Sequence, residues 1–71
     1  MELSIRVKLG KRMRALRKEL ELTQEKLAEM TGIDYKYVQR MEGKKPPDIR
    51  LETIARLAKA FKITPSKLLD F

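Results

Sequence analysis

The stretch "TQEKLAEMTGIDYKYVQRMEG", residues 23–43, decides how this chain folds. Thr23 can cap a helix, because its side-chain oxygen can accept a bond from a first-turn N–H. Gln24 and Glu25 fill that turn, and the acid suits the positive end of the helix dipole. The capping box is incomplete, since Lys26 stands where a glutamate would close it. Leu27, Ala28 and Met30 supply the buried side. Gly32 ends the helix, as glycine tolerates the left-handed conformation there. Ile33 turns inward and Asp34 caps a second helix, which Gly43 terminates. The spacing therefore predicts two short helices joined by a tight turn of about four residues.

The second of these helices has two plainly apolar positions, Val38 and Met41, which are three apart and share one face. Tyr35, Lys36, Tyr37, Gln39 and Arg40 fill the rest. A thin anchor with a rich display of donors and rings suits a helix that enters the major groove of DNA, which is wide enough for one α-helix. Arginine can bond guanine O6 and N7, and glutamine can bond adenine N6 and N7. Lysine offers a point charge to guanine or phosphate, and a tyrosine ring can rest on a thymine methyl. Taken singly each residue has an ordinary reading: a polar helix face is usually just solvated, and Tyr35 or Tyr37 could cover part of a small core.

Outward from this stretch the pattern stays helical. Ser4 can cap a first helix whose Leu9, Met13, Leu16 and Leu20 recur at helical spacing among Arg6, Lys8, Lys11, Arg12, Arg14, Arg17 and Lys18. Its apolar stripe is narrow and lacks Trp or Phe, so core packing suits it better than a membrane surface. After Gly43, "KKPPDIR" reads as a loop in which Asp48 offers a cap to the fourth helix. "LETIARLAKAF" then places Leu51, Ile54, Leu57, Ala58 and Phe61 at core spacing. Thr64 caps a last short helix with Pro65 in the first helical position it prefers. The expectation is an all-α, compact five-helix bundle, one domain over residues 1–71, with the helix-turn-helix at about 23–42 and the C-terminal helix at about 65–71.

Composition narrows the function. Of the 71 residues, 17 are basic and 10 acidic, a net charge of +7, and 42% are hydrophobic. Residues 1–20 alone hold seven basic and two acidic side chains. Such an excess attracts polyanions, nucleic acid first among them. The chain has no cysteine and no histidine. That argues against a disulfide framework, a thiolate metal site and the commonest general base together. No nucleotide-binding loop is present, and the carboxylates are scattered, so an enzyme is the poorest reading and no cofactor, metal or small-molecule ligand is expected. No run approaches the roughly 18 apolar residues of a membrane span, so a cytoplasmic protein is expected. Two rivals from other classes remain: a module that grips an acidic protein, and a basic surface that coats RNA or membrane without regard to duplex sequence.

From Leu9 to Leu69 the ordered whole resembles the phage-repressor-like (Xre/Cro-type) helix-turn-helix family. The likeness lies in the "LG…LR" opening, "LTQEKLA" in the second helix, the glycine of the turn, "ME-G" closing the third helix, a proline in the loop and "L…LA.A" in the fourth. The resemblance implies a lambda-repressor-like five-helix domain that binds double-stranded DNA as a homodimer. Tyr35, Lys36 and Arg40 would read base edges, with Tyr37 and Gln39 at the margins. Thr23, Gln24, Lys44, Lys45 and Arg50 would meet phosphates. Arg17 and Glu42 match a partly buried, structural ion pair. "KKPPDIR" is longer than the usual loop, and the Tyr-Lys-Tyr trio is bulkier than the small polar residues often found there.

Magnitudes also favour two copies. A base contact discriminates by about 1–3 kcal/mol, so some three contacts from one monomer give about 3–9 kcal/mol. Picking one site among roughly 10⁶ competitors needs about 8 kcal/mol. Two monomers on a palindrome, with half-sites about 34 Å apart, suffice. In the last helix Leu68 is expected in the core, with Leu69 and Phe71 at the dimer interface. Repression by blocking polymerase is the simplest mechanism, and stand-alone family members also act as restriction-modification controllers or antitoxins.

Overall fold

Side-chain caps mark where this chain starts its helices. The computed structural model describes residues 4–71 and contains α1 (Ile5–Glu19), α2 (Gln24–Thr31), α3 (Tyr35–Met41), α4 (Leu51–Ala60) and α5 (Pro65–Leu68). Ser4, Thr23, Asp34 and Thr64 each accept a bond from a first-turn backbone N–H, those of Val7, Lys26, Lys36 and Lys67 respectively. Each such bond satisfies a donor the helix cannot use, typically for about 1 kcal/mol. Gly32 closes α2 at φ 74°, the left-handed conformation the sequence predicts.

The ends of α1 and α4 carry no such signal. Glu21 and Lys62 adopt φ 55° and 59° without being glycine. Around them the N–H of Leu22 bonds the Arg17 carbonyl (2.8 Å) and that of Ile63 bonds the Ala58 carbonyl (3.0 Å). These are Schellman closures, and in each the following apolar residue, Leu22 or Ile63, packs on the core. The left-handed conformation strains a side-chain-bearing residue. Lys62→Gly is therefore expected to raise stability by about 0.5–1 kcal/mol after the entropic cost of glycine. Thermal unfolding would show a rise of a few degrees; a fall would mean that the lysine side chain contributes more than the strain costs.

The core is Leu9, Met13, Leu16, Leu27, Ala28, Val38, Met41, Ile54, Leu57, Ala58, Phe61 and Leu68. α2 and α3 pack on each other, α4 lies against α2 and α5, and α1 runs across α3 and α5. α3 spans seven residues, too few to be stable as an isolated helix. It persists because Val38 and Met41 are fully buried, each worth about 1.5–3 kcal/mol. Gly10 lets α1 approach this end of α3: a Cβ there would fall inside contact distance of the Met41 carbonyl oxygen.

The structure corrects several expectations. Leu51 is not core but 81% exposed. It lies in the first turn of α4, about 70° round the helix from the centre of the buried row, with no element above it. Met30 and Leu20 are also largely exposed; Met30 lies about 110° from the buried centre of α2, and Leu20 follows the last turn of α1. Gly43 directly follows Glu42, the C-cap of α3, so the helix ends where the sequence places its stop, although Gly43 does not take the left-handed conformation. Asp48 does not cap α4: Arg50 holds that position and makes no side-chain capping bond. Among the described residues no helix is long and apolar enough to cross a membrane.

Candidate nucleic-acid interface

The anchors of α3 dictate what it displays. Val38 and Met41 point into the core and Glu42 follows on the same side. Tyr35, Gln39, Lys36 and Arg40 are exposed and fall within one arc of about 140°. The Gln39 amide donates to the Tyr35 hydroxyl at 3.1 Å, one turn back. Lys36 and Arg40 stand one turn apart at the other edge of the arc.

Tyr37 is placed apart from these four. Its ring is half-buried against the core, and its hydroxyl donates to the Asp48 carbonyl at 3.1 Å. It straps α3 to the loop before α4, and the Arg40 guanidinium lies 6.0 Å above its ring centroid, within range of a cation–π contact. The sequence groups Tyr37 with the base readers; the structure makes it a support for Arg40 and for the loop. At position 37 the helix has turned back toward the anchors, which the helical period shows once Val38 and Met41 are fixed.

Below the display, Glu42 joins three helices. Its carboxylate is 2% exposed and takes two bonds from Arg17 of α1, Nε to Oε2 at 2.9 Å and Nη2 to Oε1 at 2.8 Å. The Gln24 amide of α2 adds a third, at 3.1 Å to Oε1. Arg17 also donates through Nη1 to the Leu22 carbonyl at 2.9 Å, which ties down the turn after α1. The hydrogen bonds that Arg17 donates to Glu42, with the carboxylate's negative charge behind them, outweigh burial and raise the proton affinity of the guanidinium. As pH rises, the guanidinium's share of that stabilisation is kept through its ordinary range and is lost only in strong alkali.

The sequence reading sends Gln24 to a phosphate. The structure turns one of its N–H groups inward to Glu42, leaving the second as its free donor. Thr23 is exposed and its oxygen accepts from Lys26 N at 3.0 Å. The loop cations divide between two sides of α3. Lys44 and Lys45 lie toward α1, and Arg50 shares an open depression with Asp34 and Tyr37. Two further ties are not legible in the sequence: Arg6 pairs with Asp48 at 3.4 Å, and Arg12 Nη2 donates to the Lys67 carbonyl at 2.9 Å. Both join segments far apart along the chain, where spacing gives no signal.

Away from this face, Leu68 is fully buried while Leu69 and Phe71 are 37% and 48% exposed. Leu69 lines an apolar groove of about 170 Å³ with Ile5, Leu9, Ile49 and Ile54.

A family model described as helix-turn-helix matches residues 13–68. The chain belongs to the helix-turn-helix family. It is an all-α protein of the phage-repressor type, a family of DNA-binding transcription regulators. Among solved structures, this helix-turn-helix chain is similar to the restriction-modification controller protein C.AhdI from Aeromonas hydrophila. The two are 40% identical over 89% of this chain and 94% of that one, with a TM-score of 0.82. The clp gene regulator ClgR from Corynebacterium glutamicum shares the fold at a TM-score of 0.88 and 23% identity, over 97% of this chain and 72% of that one. No curated protein matches the chain significantly.

Proposed function

We propose that this protein is a cytoplasmic transcriptional repressor that binds an inverted-repeat DNA operator as a homodimer. In this reading each copy lays α3 in the major groove. The observation that carries it is the four-residue display of α3, held rigidly by two buried anchors and the Glu42 network. Arg40, supported by Tyr37, reads guanine; Gln39, Lys36 and Tyr35 complete the readout. Thr23, the free N–H of Gln24, Lys44, Lys45 and Arg50 hold the backbone on either side. Support for a dimer comes from Leu69, exposed along the apolar groove with Ile5 and Ile49, and from the further exposed side chains of Leu51 and Phe71. An unpartnered apolar surface of this kind marks a binding face. The likeness to C.AhdI supports a more specific role, control of restriction-modification genes.

Selection of bound duplexes from a random pool at physiological salt tests the reading. The expected product is an inverted repeat with half-sites about 34 Å apart. Binding with no enriched motif would overturn sequence-specific regulation, and a single unrepeated half-site would overturn the dimer. On the selected duplex, Arg40→Ala should relax preference at one base pair per half-site, costing about 1–3 kcal/mol each.

A further inference from the structure

A row of exposed cations outside the α3 display lies on α1. Of its seven cations, Arg17 is bound to Glu42, Arg12 is tied to α5, and Arg6 pairs with Asp48. Lys8, Lys11, Arg14 and Lys18 are exposed, and among the described residues none has a carboxylate within 4.0 Å. The last three recur at i, i+3 and i+7, so they form one stripe along the helix. On the helix itself Glu19 lies about 100° round from Lys18, and Glu21 lies beyond the helix end.

This stripe runs into the proposed interface. Lys11 and Arg14 line an open cleft of about 410 Å³ whose far wall is Gly43 and Lys44. Glu42 also lines it, but its carboxylate is closed off by Arg17 and Gln24. A second depression joins Lys44 and Lys45 to Arg6. Cations therefore continue without a break from the loop after α3 onto α1.

We infer that this track grips duplex DNA flanking the operator, with Lys11, Arg14 and Lys18 on backbone phosphates beyond those reached from α3 and its loop. Seven helical steps of about 1.5 Å place Lys18 about 10 Å from Lys11. That spans about three phosphates of one strand at roughly 3.4 Å of rise each. Point charges on flexible stems suit phosphates, which carry no sequence information. The track lengthens the footprint and leaves base preference alone.

The inference rests on the operator reading, and one experiment separates the two. Affinity of the full chain is measured from 50 to 200 mM salt on the selected operator, both trimmed to its half-sites and extended by about eight base pairs on each side. The triple variant Lys11→Gln/Arg14→Gln/Lys18→Gln should bind the trimmed duplex like the parent. On the extended duplex its salt slope should fall by about 2.7 per protomer, at about 0.9 per phosphate contact. Over that salt range the parent then loses about 40-fold more affinity than the variant, per protomer. Arg56→Gln/Lys59→Gln/Lys62→Gln removes equal charge from the α2–α4 side and should change neither duplex to this extent.

Equal slopes for parent and variant on the extended duplex would overturn the inference. So would equal losses from both triple variants, which would mark general charge, or a loss on a structured RNA with none on the extended duplex. Arg40→Ala reports separately: unchanged base preference on the trimmed duplex would overturn the operator reading instead.

Discussion

Glu42→Ala is expected to destabilise the protein by about 3–5 kcal/mol, the usual cost of leaving one member of a buried ion pair behind. Arg17 would keep its charge, since no accessible pH removes it, and would lose both carboxylate bonds with only 12% of its side chain exposed. Gln24 would lose its acceptor in the same step. A chain of this size has a total stability of about 4–11 kcal/mol, so the variant should melt far lower or fail to fold at growth temperature. Thermal unfolding followed by circular dichroism would measure it. Arg17→Met combined with Glu42→Leu should recover much of the loss, because apolar partners of similar volume can replace a buried pair at little cost. A single variant that melts within a degree or two of the parent would show the network to be ornamental.

The second large effect is one of sign. Helix propensity alone expects Gly10→Ala to stabilise the middle of α1 by about 0.5–1 kcal/mol. The tertiary structure expects the reverse. A Cβ at Gly10 would sit closer than 3.0 Å to the Met41 carbonyl oxygen, with the Glu42 Cα at 3.4 Å. Both atoms belong to backbone and cannot rotate away. α1 must then lift from the end of α3, at a net cost of about 1–3 kcal/mol or more. The same shift would strain the Arg17–Glu42 bonds and tilt α3. Denaturant unfolding should show a lower midpoint, and operator affinity should fall even where the variant is fully folded. A higher midpoint would mean that α1 and α3 leave room for a methyl group between them.

Local chemistry determined much of this protein in the sequence itself. Ser4, Thr23, Asp34 and Thr64 announce their helices because a short polar side chain can satisfy a nearby N–H with no help from distant residues. Gly32 announces the turn because its conformation favours glycine. Val38 and Met41 announce the anchor of α3, since three residues bring a helix back to the same face. From these come four of the five helices, the turn between the second and third, and the display of Tyr35, Lys36, Gln39 and Arg40; the fourth helix is legible instead from the helical spacing of Ile54, Leu57, Ala58 and Phe61.

The tertiary structure alone decided matters of distance between segments remote in sequence. Leu51 continues an apolar row yet lies bare, because burial depends on what is packed above a residue. Tyr37 looks like another reader, but the Asp48 carbonyl, 11 residues on, turns it into a strap. Gln24 has one N–H drawn inward by a carboxylate 18 residues away. Glu21 and Lys62 close helices in a conformation that favours glycine, because Leu22 and Ile63 must reach the core. Periodicity and capping report each helix to itself; the partners across the molecule decide which of its faces is buried, which is hydrogen-bonded and which is left exposed.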